Sequence, residues 1–146
     1  MDLVRALDAD KAGYLATVEP ETEPQWFCRA EIIEHSTSGA GVRAGLLAHC
    51  QEYGARDGTL VRGTGEVVPW TVLLDKRSGS AYYRVVEKER APDGEGYTRW
   101  LGRNFSDHSV RKVLRLTSGD WDAESRLEDE ARRHHRLATD SPVADA

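Results

Sequence analysis

The sequence is poor in the residues that staple, span or chelate. Only two of its 146 residues are cysteines, Cys28 and Cys50, and disulfide-held secreted domains usually carry four or more. Each lies in an apolar-alternating run, so the pair reads as small buried thiols in a reducing cytoplasm, with a cross-strand disulfide as the alternative should the two strands be neighbours. There is no Cys-x-x-Cys, and no two histidines stand four apart, which removes the common zinc spacings. No apolar stretch approaches the roughly 18 residues of a membrane span. Asp2 and Asp8 interrupt the start, and no run there suits a signal peptide, so the expectation is a protein that stays where it is made. Positive charge is also short: 20 Lys plus Arg against 25 Asp plus Glu, a formal net charge of −5. A general nucleic-acid binder relies on Lys and Arg to neutralise phosphate, so this balance argues against one.

What is present suits one domain, expected over 1–138, with a small polar tail at 139–146 that should fray. Leu3, Val4 and Leu7 have helical spacing in a short helix over Asp2–Asp10. Gly13 interrupts it, and Tyr14–Val18 continues as helix or turns to strand. The two prolines in Glu19–Pro24 make a loop. From Gln25 the period becomes two, with Trp26, Cys28, Ala30 and Ile32 on one side of a strand. After a turn at Ser36–Gly41, Val42–Tyr53 fits either helical spacing or alternation. Gly54–Gly58 is a turn, and Thr59–Asp75 an extended run in which Gly63 and Gly65 mark a bulge and Pro69 an edge. Lys76–Gly79 is a tight turn, followed by a strand over Ala81–Arg90. Helical periods then return: Tyr97, Trp100, Leu101 and Asn104; Val110, Val113 and Leu114 behind a Ser106 or Asp107 cap; and Leu127, Ala131 and His134 in a helix over Ala123–Leu137. The fold class is therefore α+β. An antiparallel meander of about four strands is expected, with a short N-terminal helix and two to three C-terminal helices packed on one face, over Ala30, Ile32, Leu46, Ala48, Val72 and Leu74.

Between Trp26 and His135 a series of motifs stands in order: Gln51-Glu52-Tyr53, Gly63-Thr64-Gly65, Pro69, Tyr83-Arg84-Val85, Pro92-Asp93-Gly94, Tyr97, Phe105 and Leu127…Ala131. In these the chain resembles an uncharacterised small α+β domain of Gram-positive bacteria. That domain occurs alone or attached to extracytoplasmic parts of membrane proteins, including receptors of the antibiotic-sensing metalloprotease type. One departure is Ser106, where the pattern has Pro after Phe105. The resemblance implies that Val42–Tyr53 is a hairpin strand, and it implies no chemistry.

No catalytic constellation emerges. His134 and His135, adjacent on a helix, point about 100° apart and do not chelate one metal. His49 and Cys50 face opposite sides of a strand and cannot act together. Gly63-Thr64-Gly65 lacks the third glycine and the following helix of a dinucleotide fingerprint. No cofactor and no metal are expected. Asp93 is a turn residue or helix cap. Trp70 and Trp100 read as core, while Trp26 and Trp121 stand near element ends. The function expected is a non-catalytic binding or protein-interaction module, accessory or regulatory in role. Its partner would be an acidic protein meeting the basic flank of Arg99, Arg103, Arg111, Lys112 and Arg115. The alternative is a cofactor-free enzyme or ligand binder with an aromatic-lined cavity between sheet and helices. Trp26, His49, Tyr53, Tyr83, Asp93 and Trp100 are its candidate ligand residues.

Overall fold

Alternation beginning at Gln25 builds a sheet whose first four strands lie side by side in sequence order. The computed structural model describes residues 13–39, 41–76 and 83–146, with backbone only at 38, 76 and 83. The helix expected over Asp2–Asp10 and the turn expected after Lys76 lie outside them. The fold is α+β. Its elements are α1 (Tyr14–Val18), β1 (Gln25–Ser38), β2 (Gly41–Arg56), β3 (Thr59–Lys76), β4 (Tyr83–Arg90), α2 (Tyr97–Asn104), α3 (Asp107–Arg115), α4 (Ala123–His134) and β5 (Val143–Asp145). The strand order is β1-β2-β3-β4, and β5 also pairs with β3. β3 runs antiparallel to β4 from Trp70↔Arg90 to Lys76↔Tyr83, and parallel to β5 from Leu60↔Val143 to Arg62↔Asp145. Pro69 has no N–H for a ladder and stands just outside the β4 register, its carbonyl accepting from the Ala91 N–H at 2.9 Å.

Several expectations change. Val42–Tyr53 is strand, as the hairpin reading required. Its period is ambiguous because β2 is buried almost continuously from Ala44 to Gly54, the pattern of a strand covered on both faces. The 139–146 segment carries β5 in place of a frayed tail. Leu60 and Ala146 N–H groups donate to the Pro142 and Arg62 carbonyls at 2.9 and 3.0 Å, so its backbone is tied down. The Gly54–Gly58 turn shrinks to Asp57-Gly58, at φ 51° and 75°, the left-handed pair that a two-residue hairpin turn demands. β3 is assigned as one strand through Gly63 and Gly65.

The contacts group the described residues into two compact units. The first holds Ala30–Ala48 and Val67–Trp121; the second holds 13–29, His49–Glu66 and Asp122–Ala146.

In the first unit Leu46, Leu47, Val72, Trp100, Leu101 and Val113 form the centre of the core, each at most 3% exposed. A Cβ at Gly45 would lie 2.6 Å from the Phe105 ring, so glycine there lets the residue after α2 rest against β2. Arg43 Nη2 donates to the Asn104 carbonyl at 2.5 Å, and the Trp100 indole N–H donates to the Glu89 carboxylate. Ser106 caps α3, its Oγ accepting from the Ser109 N–H at 3.3 Å. Ile32 and Leu114 depart from their expected inward positions, at 51% and 53% exposed. Ile33 packs against the core in place of Ile32.

In the second unit Phe27, Tyr53, Leu60, Leu127 and Ala131 form a separate core. Cys28 and Cys50 are joined by a disulfide between β1 and β2, which corrects the free-thiol reading. Local alternation placed both cysteines on strands but could not show that they meet. Glu52, 1% exposed, accepts the N–H groups of Leu15 at 2.9 Å and Ala16 at 3.2 Å, in α1, and of Thr64 at 3.2 Å. Its neighbour Tyr53 packs with Leu127 and Ala131 of α4. Successive strand residues point to opposite faces, so in this unit α1 and α4 cover different sides of β2. α4 stops at His134, short of the expected Leu137, in a Schellman motif. Leu137 N–H donates to the Arg132 carbonyl at 2.9 Å and Arg136 N–H to the Arg133 carbonyl at 3.2 Å.

Candidate functional site

The six candidate ligand residues divide between the two units: Trp26, His49 and Tyr53 in the second, Tyr83, Asp93 and Trp100 in the first. Trp26 is half-buried. Trp100 is a core residue with its indole N–H taken by Glu89, and Trp70 is core as well. Asp93 is exposed and makes no side-chain cap bond, which corrects its reading as a carboxylate cap. The Tyr83 side chain lies outside the described residues.

Tyr53 is fully buried. Its hydroxyl has no hydrogen-bond partner among the described residues. Burial pushes the phenol far above its ordinary range, the carboxylate of Glu128 adds to this, and the Arg62 guanidinium opposes it. Arg62 is itself held by carboxylates: Nε donates to Asp145 at 2.8 Å, and Nη1 pairs with Glu124 and, at 3.9 Å, with Glu128. The hydrogen bond to Asp145 raises the Arg62 pKa further. His49 is half-buried, and burial lowers its pKa below 6.5 against the pull of Glu124.

The basic flank is only partly free. Lys112 pairs with Glu31 at 3.5 Å and Arg115 with Asp120 at 3.9 Å. Arg99, Arg103 and Arg111 are exposed and make no ion pair among the described residues.

Two cavities have lining of chemical interest. One, of about 510 Å³, belongs to the first unit and is bordered by Arg43, Thr71, Leu73, Glu87 and Glu89. It carries charge and no aromatic ring among its described lining, unlike the cavity expected from the sequence. The other, of about 410 Å³, belongs to the second unit. Glu21, Glu23, His134, His135 and Arg136 border it. α4 ends at His134, so His135 leaves the helical spiral and the two imidazoles meet edge to face, 4.9 Å between centroids. Phe27 contacts both rings. His135 Nε2 lies 3.4 Å from the Tyr53 carbonyl, an acceptor, which makes Nε2 the donor and leaves Nδ1 to accept. Burial lowers the His135 pKa; the bond to Tyr53 and the charge of Glu23 act the other way.

Among the described residues no three His, Cys, Asp or Glu side chains are grouped to hold a metal ion, and no helix is long and apolar enough to cross a membrane. No family model, curated protein or solved structure matches the chain.

Sequence reasoning missed Glu52 and the histidine-bordered cavity. Glu52 had a signal, a carboxylate between Cys50 and Tyr53 within a buried run. The cavity had none, because its two sides come from opposite ends of the chain.

Proposed function

We propose that the chain is a non-catalytic protein-interaction module, accessory or regulatory in role, whose α2–α3 surface receives an acidic segment of a partner protein. The observation that carries this reading is the set of three exposed arginines, Arg99, Arg103 and Arg111, that form no ion pair among the described residues in a chain of net charge −5. Arg99 and Arg103 are four apart on α2. On α3, Leu114 lies three residues beyond Arg111 and is 53% exposed, adding apolar area beside the charge. Such a surface attracts acidic partners over distance and discriminates by charge. The resemblance to the Gram-positive domain supports an accessory role, since its shared positions are turns and core. The Cys28–Cys50 bond supports an oxidising compartment over the cytoplasm expected from two lone thiols.

A fluorescent poly-glutamate peptide tests the reading. It should bind the native chain and dissociate at about 0.5 M salt, where the Debye length is only a few ångströms. The triple change Arg99→Glu, Arg103→Glu and Arg111→Glu should abolish binding, while Arg133→Glu on α4 should not. Binding that survives the triple change, or no binding at low salt, overturns it.

A further inference from the structure

We propose that the second unit carries a binding site for a free amino acid, a basic one favoured, in the cavity between the Pro20–Thr22 turn and the C-terminal end of α4. At about 410 Å³ the cavity falls in the range of small-molecule pockets, roughly 300–1,000 Å³. Its border charges are of opposite sign yet do not neutralise one another: Glu21, Glu23 and Arg136 form no ion pair among the described residues.

Two of these three residues are held in the left-handed region, Glu23 at φ 51° and Arg136 at φ 56°. An L side chain there crowds its own backbone, and glycine is the usual occupant. Arg136 also fills the Schellman position where glycine is commonest. The sequence thus keeps a carboxylate and a guanidinium at two strained positions bordering one cavity, the kind of local conflict that concentrates at ligand sites. The Tyr53 carbonyl and the Phe27 ring orient the two imidazoles beside them. In chemical terms a guanidinium clamps an α-carboxylate in a fork. Two carboxylates accept two ammonium groups. An amino acid with an ammonium side chain carries that complement, one negative and two positive charges.

The test is an NMR titration of the ¹⁵N-labelled full chain with L-lysine, and with L-glutamate as the charge-reversed probe. L-lysine should give saturable shifts at the amides of Glu21–Glu23 and His134–Arg136, with a Kd of about 1 mM or tighter. L-glutamate should bind at least about tenfold more weakly, and Glu23→Gln should weaken L-lysine by about tenfold, the scale of one charged hydrogen bond. Arg136→Gly should raise the thermal midpoint and weaken L-lysine together, a pairing that a purely structural arginine would not produce. The proposal fails if no saturable shift appears, if L-glutamate binds as well as L-lysine, or if Arg136→Gly leaves binding intact. It also fails if Zn²⁺ shifts the imidazoles and L-lysine does not.

Discussion

Glu52 is the point at which two separate stretches of the second unit, α1 and β3, are tied to one buried group. Its Oε1 accepts from Leu15 and Thr64 N–H at 2.9 and 3.2 Å, its Oε2 from Ala16 at 3.2 Å, and the side chain is shut away from water. Glu52→Gln preserves the shape. Placed with its carbonyl at the Oε1 position, the amide keeps two acceptor contacts as neutral bonds, but its NH₂ then meets the Ala16 N–H, donor against donor. Hydrogen bonds to a charged group are worth about 1.5–3 kcal/mol and neutral ones about 0.5–1.5. Two weakened bonds at about 1 kcal/mol each and one lost at about 2 give a gross loss near 4 kcal/mol. Removing a buried charge returns part of that by relieving its desolvation, so a net loss of about 2 kcal/mol is expected. For a chain of this size that corresponds to a fall in Tm of roughly 4–8 °C. Denaturant unfolding followed by Trp fluorescence and circular dichroism would measure it, and hydrogen exchange would show the Leu15, Ala16 and Thr64 amides losing protection together. A variant within about 0.5 kcal/mol of the native chain, with all three amides still protected, would refute the reasoning.

Three further outcomes follow from the same unit. Gly63→Ala puts a Cβ 2.2 Å from Glu52 Oε1 and 2.7 Å from Leu15 Cγ, and should cost about 1–3 kcal/mol in chemical denaturation; an unchanged midpoint would show that the carboxylate can step aside freely. Reducing Cys28–Cys50, which are 22 apart in sequence, frees a loop whose closure is worth about 3 kcal/mol. Parallel melts with and without reductant should separate accordingly, and coincident melts would exclude the bond. Burial lowers the pKa of both His49 and His135 below 6.5, so the unfolded chain takes up these protons first as the medium is acidified. Their contribution is complete above pH 6.5 and is lost as pH falls through the folded values; His49→Gln with His135→Gln should flatten that part of the stability curve, and an unaltered acid limb would rule them out as its source.

Local patterns made much of the fold legible. The change from period two to helical period after Arg90 separates the sheet from the helices that follow it. Asp57-Gly58 announces its hairpin turn, and Ser106 its cap, since each depends only on neighbours in the chain. Ile32 and Leu114 were misplaced for a related reason: a period says which residues share a side, not where cover ends. The candidate site was less legible. Tyr53 has the composition of a ligand residue, yet Leu127 and Ala131 of α4 cover it, and nothing in β2 foretells that. Asp93 carried a capping signature whose bond is not formed.

Composition and period by themselves determined the class: α+β, acidic, a chain of successive strands with helices after them, carrying a basic stretch from Arg99 to Arg115. These are properties of short windows, set by backbone preferences and by the need to hide apolar side chains. Tertiary structure alone decided that Cys28 meets Cys50, that β5 lies beside β3, that Glu52 gathers α1 and Thr64, and that Glu23 and Arg136 border one cavity. Each joins residues distant in the chain, and no local window encodes such a meeting.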